Sequence, residues 1–309
     1  MANITFVTEF ILLGLPEFHG LKTAFYTMLL LMYLLSLIGH SLIITVVFIE
    51  PKLHTPMYFF LINFSMAEIC STTAEVPKML TNIFSGQKSI CFACCMAQLF
   101  MVFAMGAVEF ITLSIMSFDR YVAICKPLLY KTIMTNRFCV HLAFLAWVGG
   151  FVIIFSQSVV VWNYPYCGHN VIDHFFCDIG PLLKLACADT TLMELIGLIY
   201  GATFMWGSFG LSLISYIYII ATIIQIPCAS GRSKAFFTCA SHLTVVIIFY
   251  MADMFMYLQP STHGDTRVNK VVSLVRTSFI PMLNPFIYTI RNKEFKVAIQ
   301  KAVRRKLLF

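Results

Sequence analysis

Charge is what this sequence has least of. Only 11% of its 309 residues are Asp, Glu, Lys or Arg, while 60% are hydrophobic, an apolar load that a water-soluble domain of this length has no room to bury. The signs of an enzyme are also missing: no nucleophile stands beside a base, and no tightly spaced ligand triad marks a metal centre. Short alternating segments, which would indicate membrane strands, do not occur. No internal repeat of the kind found in transporters is visible. The segment Met1 to Lys22 lacks a basic start and its apolar run Phe10 to Leu15 is short, so a cleavable leader is not expected and the first span should serve as the targeting signal.

Long apolar runs are what the chain has in quantity. A spanning helix needs about 20 mostly apolar residues, and seven runs qualify, near 23–49, 57–81, 93–124, 138–161, 192–225, 235–258 and 271–290. An N-terminal segment, 1–22, precedes this bundle and a tail, 291–309, follows it. The composition thus predicts an all-α membrane protein. Lys52, Lys126, Lys131, Arg137, Arg232, Lys234 and the basic tail fall on one side of the expected bilayer. Lys22, Lys88, Lys184, Arg267 and Lys270 fall on the other, diluted by Glu9, Glu17, Asp173, Asp178, Asp189 and Asp265. Basic residues favour the cytoplasmic face, which puts the N-terminus outside at the plasma membrane and makes Asn3, in the sequon Asn3-Ile4-Thr5, a glycosylation candidate. The sequon at Asn63 lies inside a span and is out of reach. The net charge of +7 then belongs to anionic lipids and a cytoplasmic partner, with no nucleic acid implied.

Met116 to Tyr130 reads MSFDRYVAICKPLLY, placing Asp119 and Arg120 at the water interface that ends the third run. This string resembles the end of the third helix in rhodopsin-like G-protein-coupled receptors, and odorant receptors most closely. Four further strings strengthen the likeness: Leu53 to Phe60 (LHTPMYFF), Ser215 to Ile219 (SYIYI), Lys234 to Leu243 (KAFFTCASHL) and Pro281 to Tyr288 (PMLNPFIY). Nearly the whole chain is covered. The resemblance implies a seven-helix rhodopsin-like bundle with a short amphipathic helix in the tail, whose Phe295, Ile299, Ala302 and Val303 face lipid. It implies a receptor, not an enzyme, that binds a small volatile odorant and activates a stimulatory olfactory-type heterotrimeric G protein, raising cyclic AMP, in the cilia of olfactory sensory neurons. In such receptors the acid holds the arginine at rest, so Asp119, Arg120, Tyr121, Tyr216, His242, Asn284, Pro285 and Tyr288 form the expected G-protein switch.

The same resemblance implies disulfides Cys95 to Cys177 and Cys167 to Cys187, with the nearby Cys91 and Cys94 leaving the partner at the helix open. A metal reading through His169, His174 and Cys177 lacks tight ligand spacing. Cys70, Cys125, Cys139, Cys228 and Cys239 are expected as free thiols. Glu68 and Glu109 lie in apolar sequence, where a carboxylate must be protonated, paired or metal-bound. In related receptors such acids hold a sodium ion; the alternative is a pair sharing one proton. A transporter or channel using these two acids in an ion path is the rival function.

Four residues depart from the family pattern: His40 stands where Asn is usual, Glu68 where Asp is usual, Met251 replaces a glycine, and Arg276 is unusual in the seventh span. Two readings stand for Asp253, an ion pair with Arg276 or contact with a cationic or strongly hydrogen-bonding ligand. The expected ligand site comprises Leu99, Val102, Phe103, Gly106 and Ala107 on the third span, Tyr200 and Phe204 on the fifth, and Tyr250, Asp253, Met254 and Tyr257 on the sixth, an apolar lining with few polar anchors.

Overall fold

The computed structural model describes residues 7–14, 22–167, 169–258, 266–290 and 293–306; Asn3, the expected glycosylation site, lies outside them. In chain order the elements are β1 (Glu9–Leu12), α1 (Lys22–Ile49), a short 3-10 turn (Pro51–Leu53), α2 (Pro56–Ser85), β2 (Ser89–Cys91), α3 (Phe92–Cys125) and α4 (Tyr130–Ile133). There follow α5 (Asn136–Asn163), β3 (Val171–Ile172), α6 (Ile179–Leu183), α7 (Thr191–Ile224), α8 (Ala229–Leu258), α9 (Thr266–Leu274), a π-helical turn (Val275–Phe279), α10 (Ile280–Ile290) and α11 (Lys293–Lys306). The segment α9–π–α10 runs as one continuous helix, so the seven apolar runs each fall on one long helical stretch.

Local chemistry sets the boundaries. Pro56 starts α2 behind an extended Thr55, and Gly86, with φ 71°, ends it in the left-handed region that glycine tolerates. Thr135 caps α5 by accepting from the Phe138 amide at 3.3 Å. The π-turn has a covalent cause. Pro281 has no N–H for the Thr277 carbonyl, and the ladder widens just before it, with the Ile280 amide reaching back to Val275 O.

Among the described residues, five helical stretches are long and apolar enough to cross a membrane: α1, α3, α5, α7 and Val268–Thr289. Helix α8 contributes a shorter apolar run, His242–Phe255. Helix α2 is made more polar by Asn63, Glu68 and Glu75, yet both glutamates are buried, at 0% and 2% exposure. Their charge faces the protein, so the lipid-facing surface stays apolar. Helix α3 is the axis of the bundle, since 67% of its apolar window is buried against 28% for α1 and α5. It packs on α2, α5 and α7, while α1 packs on α2 and α10. Helix α5 approaches α3 closely at Gly150, where a methyl group would stand 2.9 Å from Val108 Cγ2 and 3.2 Å from the Ala104 carbonyl.

One end of the bundle is capped by a small sheet ordered β2-β1-β3. The N-terminal strand β1 is its centre, antiparallel to β2 and parallel to β3. The period-two pattern buries Phe10 and Leu12 completely, and Phe10 packs on Phe92 and Tyr166 at ring distances of 5.8 and 5.6 Å. Gln98 joins three elements beneath the sheet: its Nε2 donates to Ala74 O at 2.8 Å and its Oε1 accepts from the Cys177 amide at 3.0 Å. Lys270, on α9, fastens the cap by donating to Gly14 O at 2.8 Å and to Asp173 Oδ1 at 2.5 Å. The Lys270→Met variant loses both bonds, and hydrogen exchange of the Glu9–Leu12 amides should accelerate about tenfold while α3 keeps its protection. Unchanged exchange in β1 would show that Lys270 does not hold the strand.

Candidate functional site

At the end opposite the sheet, Asp119 is fully buried and the Arg120 side chain is 13% exposed. The Arg120 guanidinium closes onto its neighbour, Nε donating to Asp119 Oδ2 at 3.0 Å and Nη2 lying against the same oxygen. The second oxygen is taken as well: Tyr130, on the one-turn helix α4, donates its hydroxyl to Asp119 Oδ1 at 2.8 Å. Burial next to this carboxylate pushes the Tyr130 phenol well above its usual range, so it remains a donor. Asp119 therefore holds Arg120 on one side and the loop after Pro127 on the other. Tyr130 carries no spacing signal that could have marked it as part of the switch.

The neighbouring helices are joined at the same end. Tyr216 on α7 and His242 on α8 stack and share a 2.6 Å hydrogen bond between the hydroxyl and Nδ1. Tyr216 and Cys239 pack with Tyr121, Ile124 and Cys125 from the turn after Arg120. Tyr288 is buried beside Phe64, 6.5 Å between rings. Of the expected switch residues, Tyr121, Tyr216 and His242 meet at this end beside Asp119 and Arg120, whereas Asn284 and Pro285 contact α2 and α1.

Helix α10 is tied to its neighbours by the consequences of its prolines. Pro285 cannot donate to the carbonyl four residues back, that of Pro281, which is left free. His40 Nε2, from α1, lies 3.1 Å from Pro281 O. Donation there fixes the tautomer with the proton on Nε2. A methyl at Gly39 would stand 2.6 Å from Pro285 Cβ, so the glycine permits the approach and the histidine uses it. Asn284 Nδ2 donates to Glu68 Oε1 at 2.6 Å and secures α10 to α2.

Higher in the bundle Arg276 pairs with Asp253. Its Nε donates to Asp253 Oδ1 and Oδ2 at 3.0 and 3.2 Å, so the ion pair forms. Sequence reasoning missed the other half of the arrangement, in which Nη2 donates to Glu109 Oε2 at 3.1 Å. The guanidinium carbon stands 4.7 Å from the centre of the Phe249 ring. One arginine thereby joins α3, α8 and the π-turn. Glu68 Oε2, Glu75 Oε2 and Glu109 Oε1 are buried with no hydrogen-bond partner among the described residues. Glu75 is a further buried acid that the sequence reading left out. These donors are a poor fit to sodium: one oxygen of each expected ligand is already taken, a guanidinium stands among them, and the described residues hold no group of three or more His, Cys, Asp or Glu able to bind a metal ion.

The expected ligand-lining residues do not converge on one wall. Leu99 packs under the cap with Cys177 and Leu182, whereas Val102 meets the Phe175 and Phe176 cluster. Ala107 faces Ile154 of α5 and Phe103 lies between that cluster and the cap. Gly106 faces Arg276, whose Nη2 would be 3.9 Å from an added methyl. Tyr250 and Met254 pack with Phe110, Phe249 and Met205. On α7 the buried stripe runs through Met205, Ser208, Ser212 and Tyr216, leaving Phe204 half-buried and Tyr200 39% exposed. Tyr257 falls on α8, but its side chain lies outside those described. Serines missed by the sequence reading join α3 to α7: Ser117 Oγ bonds Ser212 Oγ at 3.1 Å, and Ser114 Oγ donates to Ser208 O at 3.2 Å.

Sulfur pairs stand at bonding distance for Cys95 and Cys177 (1.96 Å) and for Cys167 and Cys187 (2.20 Å). Cys91 and Cys94 pair with each other. Cys70, Cys125, Cys139, Cys228 and Cys239 are free. His174 packs edge-on against Phe176, 4.5 Å between centres, and burial pulls its basicity down.

Replacing His40 by Ala orphans the Pro281 carbonyl and should cost about 1–3 kcal/mol, seen as a fall of several degrees in Tm, with His40→Asn recovering most of it. An unchanged Tm in His40→Ala would show that the carbonyl does not need this donor.

The chain matches the olfactory receptor family profile over residues 29–306. It is 51% identical over 303 residues to human olfactory receptor 6X1, covering 98% of this chain and 97% of that one. Mouse olfactory receptor 6E1 is 47% identical, with 99% and 98% covered, and human olfactory receptor 6C4 is 45% identical, with 99% of each covered. These receptors are rhodopsin-like seven-helix membrane proteins that signal through G proteins and are not enzymes. Matched along nearly its whole length, with the Asp119–Arg120 pair and the Asn284–Pro285 turn built into one bundle, the chain belongs to the olfactory receptor family.

Proposed function

We propose that this receptor binds a small volatile odorant in the sheet-capped half of its bundle and activates a stimulatory heterotrimeric G protein, raising cyclic AMP. In this reading the capped end and the N-terminus are extracellular, the Asp119–Arg120 end is cytoplasmic, and the receptor works in the plasma membrane of olfactory cilia. The observation that carries it is the closed lock at Asp119. Arg120 and Tyr130 occupy both carboxylate oxygens, while Tyr216 and His242 bond α7 to α8 beside it. Such a lock restrains the helix ends that a G protein must enter, and a ligand opens it only by binding the open form more tightly.

Asp253 is engaged by Arg276, which argues for an odorant held by shape and dispersion over one requiring a free carboxylate. The Arg276 site still offers a polar edge facing Gly106. For an ion path the two central acids would have to be released from Asn284 and Arg276, so the transporter reading is not kept.

Two experiments test this. A chemically broad odorant screen on cells expressing the receptor should yield at least one agonist that raises cyclic AMP, and purified receptor should then speed nucleotide exchange on a stimulatory G protein. If a correctly inserted receptor gives exchange only on an inhibitory G protein, the coupling is wrong. The second concerns the lock. Tyr130→Phe removes one bond to a charged acceptor and should raise agonist-free exchange about 3–10-fold. Basal exchange equal to that of the unmodified receptor would remove Tyr130 from the switch.

A further inference from the structure

We propose that Arg276 is the built-in cation of this receptor's polar centre, doing with a tethered guanidinium what a mobile sodium ion would do between Glu68 and Glu109. The receptor is therefore indifferent to sodium.

The inference starts from what the acids touch. Glu109 is completely buried, and its Oε2 accepts from Arg276 Nη2 at 3.1 Å. Asp253, 6% exposed, accepts from Arg276 Nε through both oxygens. Glu68, also completely buried, has its Oε1 bonded by Asn284 Nδ2 at 2.6 Å. A sodium ion entering between Glu68 and Glu109 would have to share Glu109 with a guanidinium already seated there. Two cations side by side in a medium of low dielectric repel strongly. The ion would also shed its water for very few oxygens, because Asn284 and Arg276 each hold one oxygen of the pair and leave only Glu68 Oε2 and Glu109 Oε1. The guanidinium has neither difficulty. It arrives on the chain, its planar fork matches a carboxylate, and its remaining face lies over Phe249. Gly106 lies beside its head, where an added methyl would stand 3.9 Å from Nη2. Glu68 and Glu75 each keep an Oε2 with no hydrogen-bond partner among the described residues.

A tethered cation has a different consequence from a soluble one. Sodium that favours the resting form leaves on activation and makes signalling depend on its concentration. Arg276 cannot leave, so its effect is constant and is removable only by mutation. Because it joins α3 to α8 it restrains the same movement, and because it bonds Asp253 it does so next to the proposed odorant site.

The test uses purified full-length receptor in lipid nanodiscs, melted in sodium chloride and in choline chloride at equal ionic strength. Melting needs neither odorant nor G protein, so its result is separable from the coupling proposed above. The unmodified receptor should melt at the same temperature in both salts. Arg276→Leu combined with Asp253→Leu removes the cation together with one of its acids and leaves Glu68 and Glu109 in place. That variant should melt higher in sodium by about 2 °C or more, saturably, and Glu109→Gln added to it should abolish the difference. A saturable, sodium-specific rise in the unmodified receptor that Glu109→Gln removes would overturn the proposal. Indifference to sodium in the folded double variant would overturn it too, because there would then be no cation role for Arg276 to fill. If the double variant does not fold, the unmodified receptor and its Glu109→Gln form decide the matter.

Discussion

A guanidinium within a helix bundle in lipid has no water to fall back on, and its counter-charges must come from adjacent helices. Arg276 meets this constraint by taking one acid from α3 and another from α8. Removing a single partner from a buried pair costs about 3–5 kcal/mol, so the three helices are held in one relative arrangement. Much of the remaining design follows. Charge on α2 and α8 must point inward, which makes them the helices whose composition least resembles a membrane span. The arginine sits on a π-turn, where the widened ladder re-aims a side chain relative to the straight helix below. That local irregularity comes from Pro281, so a proline with no charge of its own positions the charge.

Below Arg276 each polar tie answers a defect in the backbone or a charge next to it. Pro285 frees a carbonyl and His40 fills it. Glu68 is stranded and Asn284 donates to it. Asp119 needs both oxygens satisfied and receives Arg120 and Tyr130. Ser114 and Ser117 meet Ser208 and Ser212 through short hydroxyls that let α3 and α7 approach closely. The ties lie at different depths and join different pairs of helices. Between Asp253 and the His242–Tyr216 bond α8 packs through Phe249 and Tyr250, with no single contact spanning the distance.

The helices and the Asp119–Arg120 pair were legible from sequence because each leaves a local signature. Twenty-residue apolar runs define spans, Pro56 and Pro127 punctuate them, and Asp119-Arg120 marks an interface by its own insolubility in lipid. Pairings between distant residues were less legible, since composition gives no rotation of one helix relative to another. Asp253 and Arg276 stood out as lone charges, which was enough to suggest the pair. Glu109 as the second partner depends on how far the π-turn rotates Arg276, and no spacing rule supplies that. The ligand-lining positions scattered for the same reason. Leu99, Val102 and Phe103 share a sector of an isolated helix, yet in the bundle α2, α5 and the capping loop each claim part of it. On α7 half-buried Phe204 stands next to buried Met205. The strand β1 was invisible because Glu9–Leu12 is too short to declare itself; it forms only where Ser89–Cys91 and Val171–Ile172 offer their edges.

Two acids on one arginine also bear on how small a ligand can be. Breaking a buried pair outright would demand more than a few dispersion contacts can supply, since one pair of carbon atoms contributes only about 0.1–0.2 kcal/mol. Arg276 need not lose both partners. If α8 carries Asp253 away, Glu109 still holds the guanidinium and the charge is never left bare. The cost of the movement is then the difference between double and single pairing, which is smaller than the loss of an isolated pair. Shifting a two-state equilibrium from 1:99 to 99:1 takes about 5.5 kcal/mol of preferential binding, within reach of a compact apolar molecule whose contacts improve only in the open form. An arginine shared by two acids ties α3, α8 and the π-turn together and keeps a counter-charge if one of them is lost.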